Sequence, residues 1–207
     1  MKWMMECGPY IIKFDRTGFP MVRREGWNFQ ISLFPVSKYQ FERFMVDSGQ
    51  TNALFTDRWY RNLLTVNPRA AWKNCDRYPW EHFITGLNSA EAALFLKYLG
   101  RGFRLPDVNE WNSLLESDGE LIGLREELKK CCSAISARPV ELWIDKGMFP
   151  LVKEGILEMV RGEDGIPCLG RPWQDLWPNT WNPGKVKKVN FSLCQKAIGF
   201  RTVKDIR

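Results

Sequence analysis

A chain of 207 residues has room for one large domain or two small ones. Hydrophobic residues at 44% and charged residues at 26% are ordinary for a globular protein, and no apolar run approaches a bilayer span of about 18 residues. A net charge of +6 admits an anionic partner without requiring one.

Taken in chain order, Tyr10–Phe14 reads as a strand, Arg16-Thr17-Gly18 as a turn and Phe19–Arg23 as a second strand. Trp27–Phe34 alternates in its first part, which predicts a half-buried strand. Ser37 with Gln40 has capping-box spacing, and Pro35 just ahead cannot lie in a helix interior. Tyr39, Phe41, Phe44 and Met45 then share one helical face, with Gly49 expected to end the run. Asn88 with Glu91, and Asp107 with Glu110, repeat the device. The first opens a helix carrying Ala92, Phe95, Leu96 and Leu99 inward, closed by Gly100 in a left-handed cap. The second puts Trp111 and Leu114 on its inner side. Glu120–Cys132 is expected to be one further helix with a charged wet face. Glu141–Ile144, Ile156–Val160 and Ala197–Val203 are the remaining predicted strands, separated by an irregular stretch, Gly165–Asn190, that holds Trp173, Trp177 and Trp181. Ten Trp, thirteen Phe, twelve Pro and sixteen Gly fit a loop-rich domain plugged by large rings. With no internal repeat and no Gly/Ser linker, residues 1–207 form one expected domain, with a helical insertion near 117–139.

Six cysteines and one histidine limit the chemistry. Met1–Cys7 lacks the apolar core of a secretory signal, so a cytoplasmic location and reduced thiols are expected for Cys7, Cys75, Cys131, Cys132, Cys168 and Cys194. No pair has C-x-x-C spacing, and His82 alone cannot complete a mixed zinc set. His82 sits in Trp80-Glu81-His82-Phe83 with no motif around it and reads as a structural or surface residue. Lys185, Lys187 and Lys188 form the densest basic cluster. Its spacing suits an edge strand or solvated loop better than a nucleic-acid groove, which would interleave aromatics. Nucleic-acid association is therefore a second alternative, and a membrane partner is not expected.

Three blocks, in order, carry a family resemblance. Phe29–Gly49 runs from a strand through Pro35-Val36-Ser37 into a helix bearing Tyr39 and Phe41. Phe83–Trp111 contains Tyr98-Leu99-Gly100, then Arg104-Leu105-Pro106-Asp107 and Glu110-Trp111. The third is Ile198-Gly199-Phe200-Arg201, with Val203 and Asp205 behind it. Gly155–Val160 is a fourth, partial match through Glu158. Together they resemble the formylglycine-generating enzyme, or sulfatase-modifying factor, family. The resemblance implies an α+β, C-type-lectin-like fold with small twisted antiparallel sheets, a few helices and much irregular backbone. A structural calcium, held partly by backbone carbonyls, is compatible with it.

The family's oxidases bind copper(I) through a cysteine pair, soft donors for a soft ion. Here Gln174 and Asp175 stand where the first cysteine is expected, and Cys168 and Cys194 flank that register without falling in it. The related iron-dependent sulfoxide synthases need several histidines. The resemblance therefore implies a non-catalytic recognition domain for a protein or other ligand, with a copper-dependent oxidase using Cys168 and Cys194 as the alternative. In the family's binding members the contacts come from the loop before the closing strand. The matching candidates here are Trp173, Gln174, Asp175, Trp177, Asn179, Trp181 and Asn182. Such residues suit recognition, since Trp buries a large area at small entropic cost and amides adapt their hydrogen bonds.

Overall fold

The computed structural model describes residues 4–48, 82–133, 138–145, 156–171 and 198–206. Its first sheet begins as a meander of β1 (Met4–Cys7), β2 (Tyr10–Phe14), β3 (Pro20–Arg24) and β4 (Phe29–Ser32), each antiparallel to the next. Cys7 pairs with Tyr10 across a two-residue loop, and Gly8 takes the positive φ of +54° that such a tight hairpin requires. The sheet is completed from far along the chain. Strand β9 (Val203–Asp205) pairs with β4, and β5 (Phe103–Arg104) pairs with the other side of β9. The order is β1-β2-β3-β4-β9-β5, six strands in all. β4 is buried at all four residues rather than half-buried as its alternation suggests. Phe29 and Ile31 enter the apolar core, while Ser32 Oγ on the alternate register accepts the Thr202 N–H at 3.0 Å.

The three capping boxes form as the sequence predicts. They open α1 (Lys38–Asp47), α2 (Ser89–Leu99) and α3 (Val108–Glu116), each with side chain and backbone satisfying one another at both ends of the box. α1 stops at Asp47 with Ser48 as its cap; Gly49 lies outside the described residues. Gly100 does cap α2 at positive φ, but at φ 118°, ψ −172°. That is an extended conformation reserved in effect for glycine, not the left-handed helical one.

The region between 117 and 145 departs most from expectation. The single helix predicted over 120–132 is two, α4 (Asp118–Gly123) and α5 (Arg125–Ser133), broken at Leu124. The Leu124 N–H divides between the Glu120 and Leu121 carbonyls, each at 3.1 Å. Glu141–Ile144, predicted as a strand, is the second half of a helix, α6 (Arg138–Asp145). Val140, Trp143 and Ile144 are buried at the i, i+3, i+4 spacing of a helix face, a period invisible in a four-residue window. Pro139 falls in the first turn, where its missing N–H removes no helical bond. These helices roof the first sheet: Leu121, Leu128, Cys132, Val140, Trp143 and Ile144 share one core with Tyr10, Ile12, Val22 and Ile31.

The second sheet has three strands, β6 (Ile156–Met159) flanked by β7 (Cys168–Arg171) and β8 (Ile198–Phe200). β7 lies inside the stretch expected to be irregular. β6 and β7 are antiparallel, whereas β6 and β8 run parallel, so this sheet is mixed rather than antiparallel throughout. The one strand predicted over 197–203 is also two, β8 in the second sheet and β9 in the first, divided at Arg201-Thr202. Arg201 and Thr202, both buried, make the crossing from one sheet to the other. Apolar residues of α1, α2 and this sheet, among them Phe41, Phe44, Phe95, Leu157 and Phe200, make the second core. The described residues are thus mixed α+β. Among them no helix is long and apolar enough to cross a membrane.

Candidate recognition surface

Register in the second sheet fixes where its strands begin and end. Arg171, the last residue of β7, pairs with Ile156 at the start of β6. Ile198, the first residue of β8, pairs with Leu157, one residue further along. The residues bounding segment 172–197 therefore stand at the same end of the sheet, on either side of β6. Trp173, Gln174, Asp175, Trp177, Asn179, Trp181 and Asn182 belong to that segment and lie outside the described residues, as do Cys194, Lys185, Lys187 and Lys188.

A buried charge network holds this sheet to its neighbours. Arg201, directly after β8, and Glu158, in the middle of β6, are both essentially inaccessible to solvent. The guanidinium donates to both carboxylate oxygens, Nε to Oε2 at 2.9 Å and Nη2 to Oε1 at 3.0 Å. Its Nη1 donates to the Ser32 and Leu33 carbonyls at 2.8 and 2.7 Å. Trp111 Nε1 on α3 donates to the same carboxylate at 3.2 Å. One arginine thus links the second sheet, the end of β4 and helix α3. Paired, fork-shaped bonds of this kind are what the planar guanidinium is suited to make.

A second arginine braces the start of α3. Arg104 on β5 donates to both oxygens of Glu110, at 2.7 and 2.6 Å, and through Nε to Asp205 on β9 at 2.9 Å. Those bonds, Glu110 foremost, raise its already high pKa further. The Arg-Leu-Pro-Asp and Glu-Trp residues therefore join a strand, a helix cap and the core, which is structural work.

Cys168 occupies the first position of β7 and is fully buried. Burial, with the Glu158 carboxylate adding to it, pushes its thiol up to about 12. A thiol held there is protonated at neutral pH, and only the thiolate is a good metal ligand or nucleophile. His82 is buried with its ring edge-on to Trp143, centroids 5.8 Å apart, which settles it as a core residue rather than a surface one.

Two polar groupings go beyond what the sequence reading singled out. The Asp15 carboxylate is buried and accepts from Thr17 N, Thr17 Oγ1 and Phe19 N through Oδ1, and from Gln40 Nε2 through Oδ2. It locks the β2–β3 turn to the cap of α1, and burial holds its pKa above the usual carboxylate range. The Asp-x-Thr-Gly spacing is a turn signal that could have located it. On the outer surface Arg16 lies over the Tyr98 ring, 4.2 Å from its centroid, and the Tyr98 hydroxyl donates to Asp47 at 2.5 Å. Nothing local in the sequence connects these three positions.

No protein-family model matches this sequence, and no curated protein matches it.

Proposed function

We propose that the chain is a non-catalytic recognition domain on a C-type-lectin-like scaffold of the formylglycine-generating type, with residues 173–182 as its contact segment. One observation carries the reading. Arg171 and Ile198, which bound that segment, leave the same end of a sheet that the buried Arg201–Glu158 pair fixes in place. Binding residues concentrate on loops held by a rigid frame, and a frame that fixes both ends lowers the ordering cost of binding. The sealed position of Cys168 supports recognition over copper chemistry, because burial opposes the thiolate that copper(I) would need.

The test uses the purified full chain on peptide and glycan arrays, beside the triple variant Trp177→Ala/Asn179→Ala/Trp181→Ala. Anchor loss of this kind is expected to weaken every specific signal by at least about tenfold with the melting temperature unchanged. Equal binding by a folded triple variant would move the contact surface elsewhere. Copper(I) titration of Cys168→Ser and Cys194→Ser separates the oxidase reading: stoichiometric copper lost in both variants would replace recognition with redox chemistry.

A further inference from the structure

Strand β1 ends on Cys7, and helix α5 packs against that strand. Two thiols meet in the gap. Cys131 Sγ, on α5, lies 3.8 Å from the carbonyl oxygen of Glu6, the residue before Cys7. Cys7 Sγ lies 3.9 Å from Oε2 of Glu127, which stands one helical turn ahead of Cys131 on the same face. Burial, with the Glu127 carboxylate next in effect, raises the Cys131 thiol as well, and the neighbouring Cys7 thiol offsets part of that rise. Cys7 is buried and Cys131 partly exposed, while the adjacent Cys132 is sealed in the core. The three cysteines are therefore not equivalent. One faces solvent, one stands behind it on another element, and one is out of reach.

We propose that Cys7 and Cys131 form a thiol pair that a low-molecular-weight disulfide oxidises, stapling the edge strand β1 to helix α5. The exposed Cys131 thiolate attacks one sulfur of oxidised glutathione. The glutathione S–S bond breaks, and the departing glutathione thiolate takes up the proton that Cys131 released. Cys7 then gives up its proton and attacks the Cys131 sulfur of the mixed disulfide, and the second glutathione leaves as a thiol. Two protein thiols and one glutathione disulfide become one protein disulfide and two glutathione thiols, with two electrons passing from protein to glutathione. Attack starts at Cys131 because it is the partly exposed thiol of the two, whereas Cys7 is buried. Desolvation, with Glu127 beside it, pushes the Cys7 thiol up to about 12, so resolution is slow at neutral pH. The bond would close a loop of more than a hundred residues, the case in which a cross-link constrains the unfolded chain most. It would also pin the edge of the six-stranded sheet, where an unpaired strand is otherwise open to foreign pairing.

The experiment treats the full chain with oxidised glutathione, alkylates the remaining thiols and maps unreduced peptides by mass spectrometry. Cys7 and Cys131 are expected in one cross-linked species, and the melting temperature is expected to rise by about 5–10 °C and to fall back on adding a dithiol reductant. Cys131→Ser abolishes both effects and Cys132→Ser keeps both. The peptide map of the unmutated chain decides the matter by itself if a variant fails to fold. The proposal is overturned if Cys131 keeps glutathione while Cys7 is alkylated, or if Cys131 is found bonded to Cys132, Cys75 or Cys194. Zinc bound in one-to-one ratio by Cys7 and Cys131 in place of a disulfide overturns it too.

Discussion

The core beneath β1–β4 and the core around β6–β8 bury similar kinds of side chain but are assembled by different means. In the second, α1 and α2 each start from a reciprocal cap, and their Phe41, Phe44 and Phe95 pack ring against ring and onto Phe200. Helix identity there is written locally, in the cap and the period. In the first, Trp143 sits fully buried among Phe19, Phe34, His82 and Phe83, with centroids 4.8 to 5.9 Å away. Helix α4, which contributes Leu121 to the same core, has no side-chain cap bond. Those helices owe their form to the sheet they cover. A segment held by its own termini can be read from sequence, whereas one held by what it covers cannot.

Substitutions at three places sharpen that contrast, beginning with the joint between the two cores. Arg201→Met leaves Glu158 buried without its partner and is expected to cost about 3–5 kcal/mol in denaturant unfolding. The double variant Arg201→Met/Glu158→Leu removes both charges and should cost less than the single one. A double variant as unstable as the single would mean the arginine's bonds to Ser32 and Leu33 dominate. Trp143→Ala empties the centre of the first core and should cost about 3–5 kcal/mol. Amide exchange is expected to accelerate across β1–β3 and α5 while α1 and α2 stay protected; uniform acceleration would erase the distinction between the cores. Asn88→Ala removes one capping box and should cost about 1 kcal/mol, with faster exchange confined to the first turn of α2.

The same contrast explains what the sequence made legible. Ser37, Asn88 and Asp107 announce their helices through residues three positions away, so those helices begin where expected. Tyr10–Phe14 and Ile156–Met159 are apolar runs bounded by turns, and both are strands. Glu141–Ile144 looked like a strand because four apolar and polar residues carry no usable period, and only burial against the sheet reveals the helix. Arg201 could be noticed as a residue that belongs after Gly199-Phe200, but its four-way junction depends on Ser32 and Leu33, over 160 positions away in sequence. The recognition candidates were named through a family resemblance rather than through local physics, and their anchors Arg171 and Ile198 came together only through strand pairing. Cys7 and Cys131 are an equally distant pair, joined by a helix whose docking no sequence window contains.

The position of β9 has a consequence for how the molecule is made. This strand lies between β4 and β5, so a growing chain that has not reached residue 203 holds β4 with one row of its peptide groups unanswered. Arg201, which ties both sheets together, is synthesised just before. Synthesis runs at about 5–20 residues per second, so the N-terminal meander waits many seconds for the strand that completes it. Early helices can gather while the ribosome works, but the two halves can be welded only at the close of translation of this region.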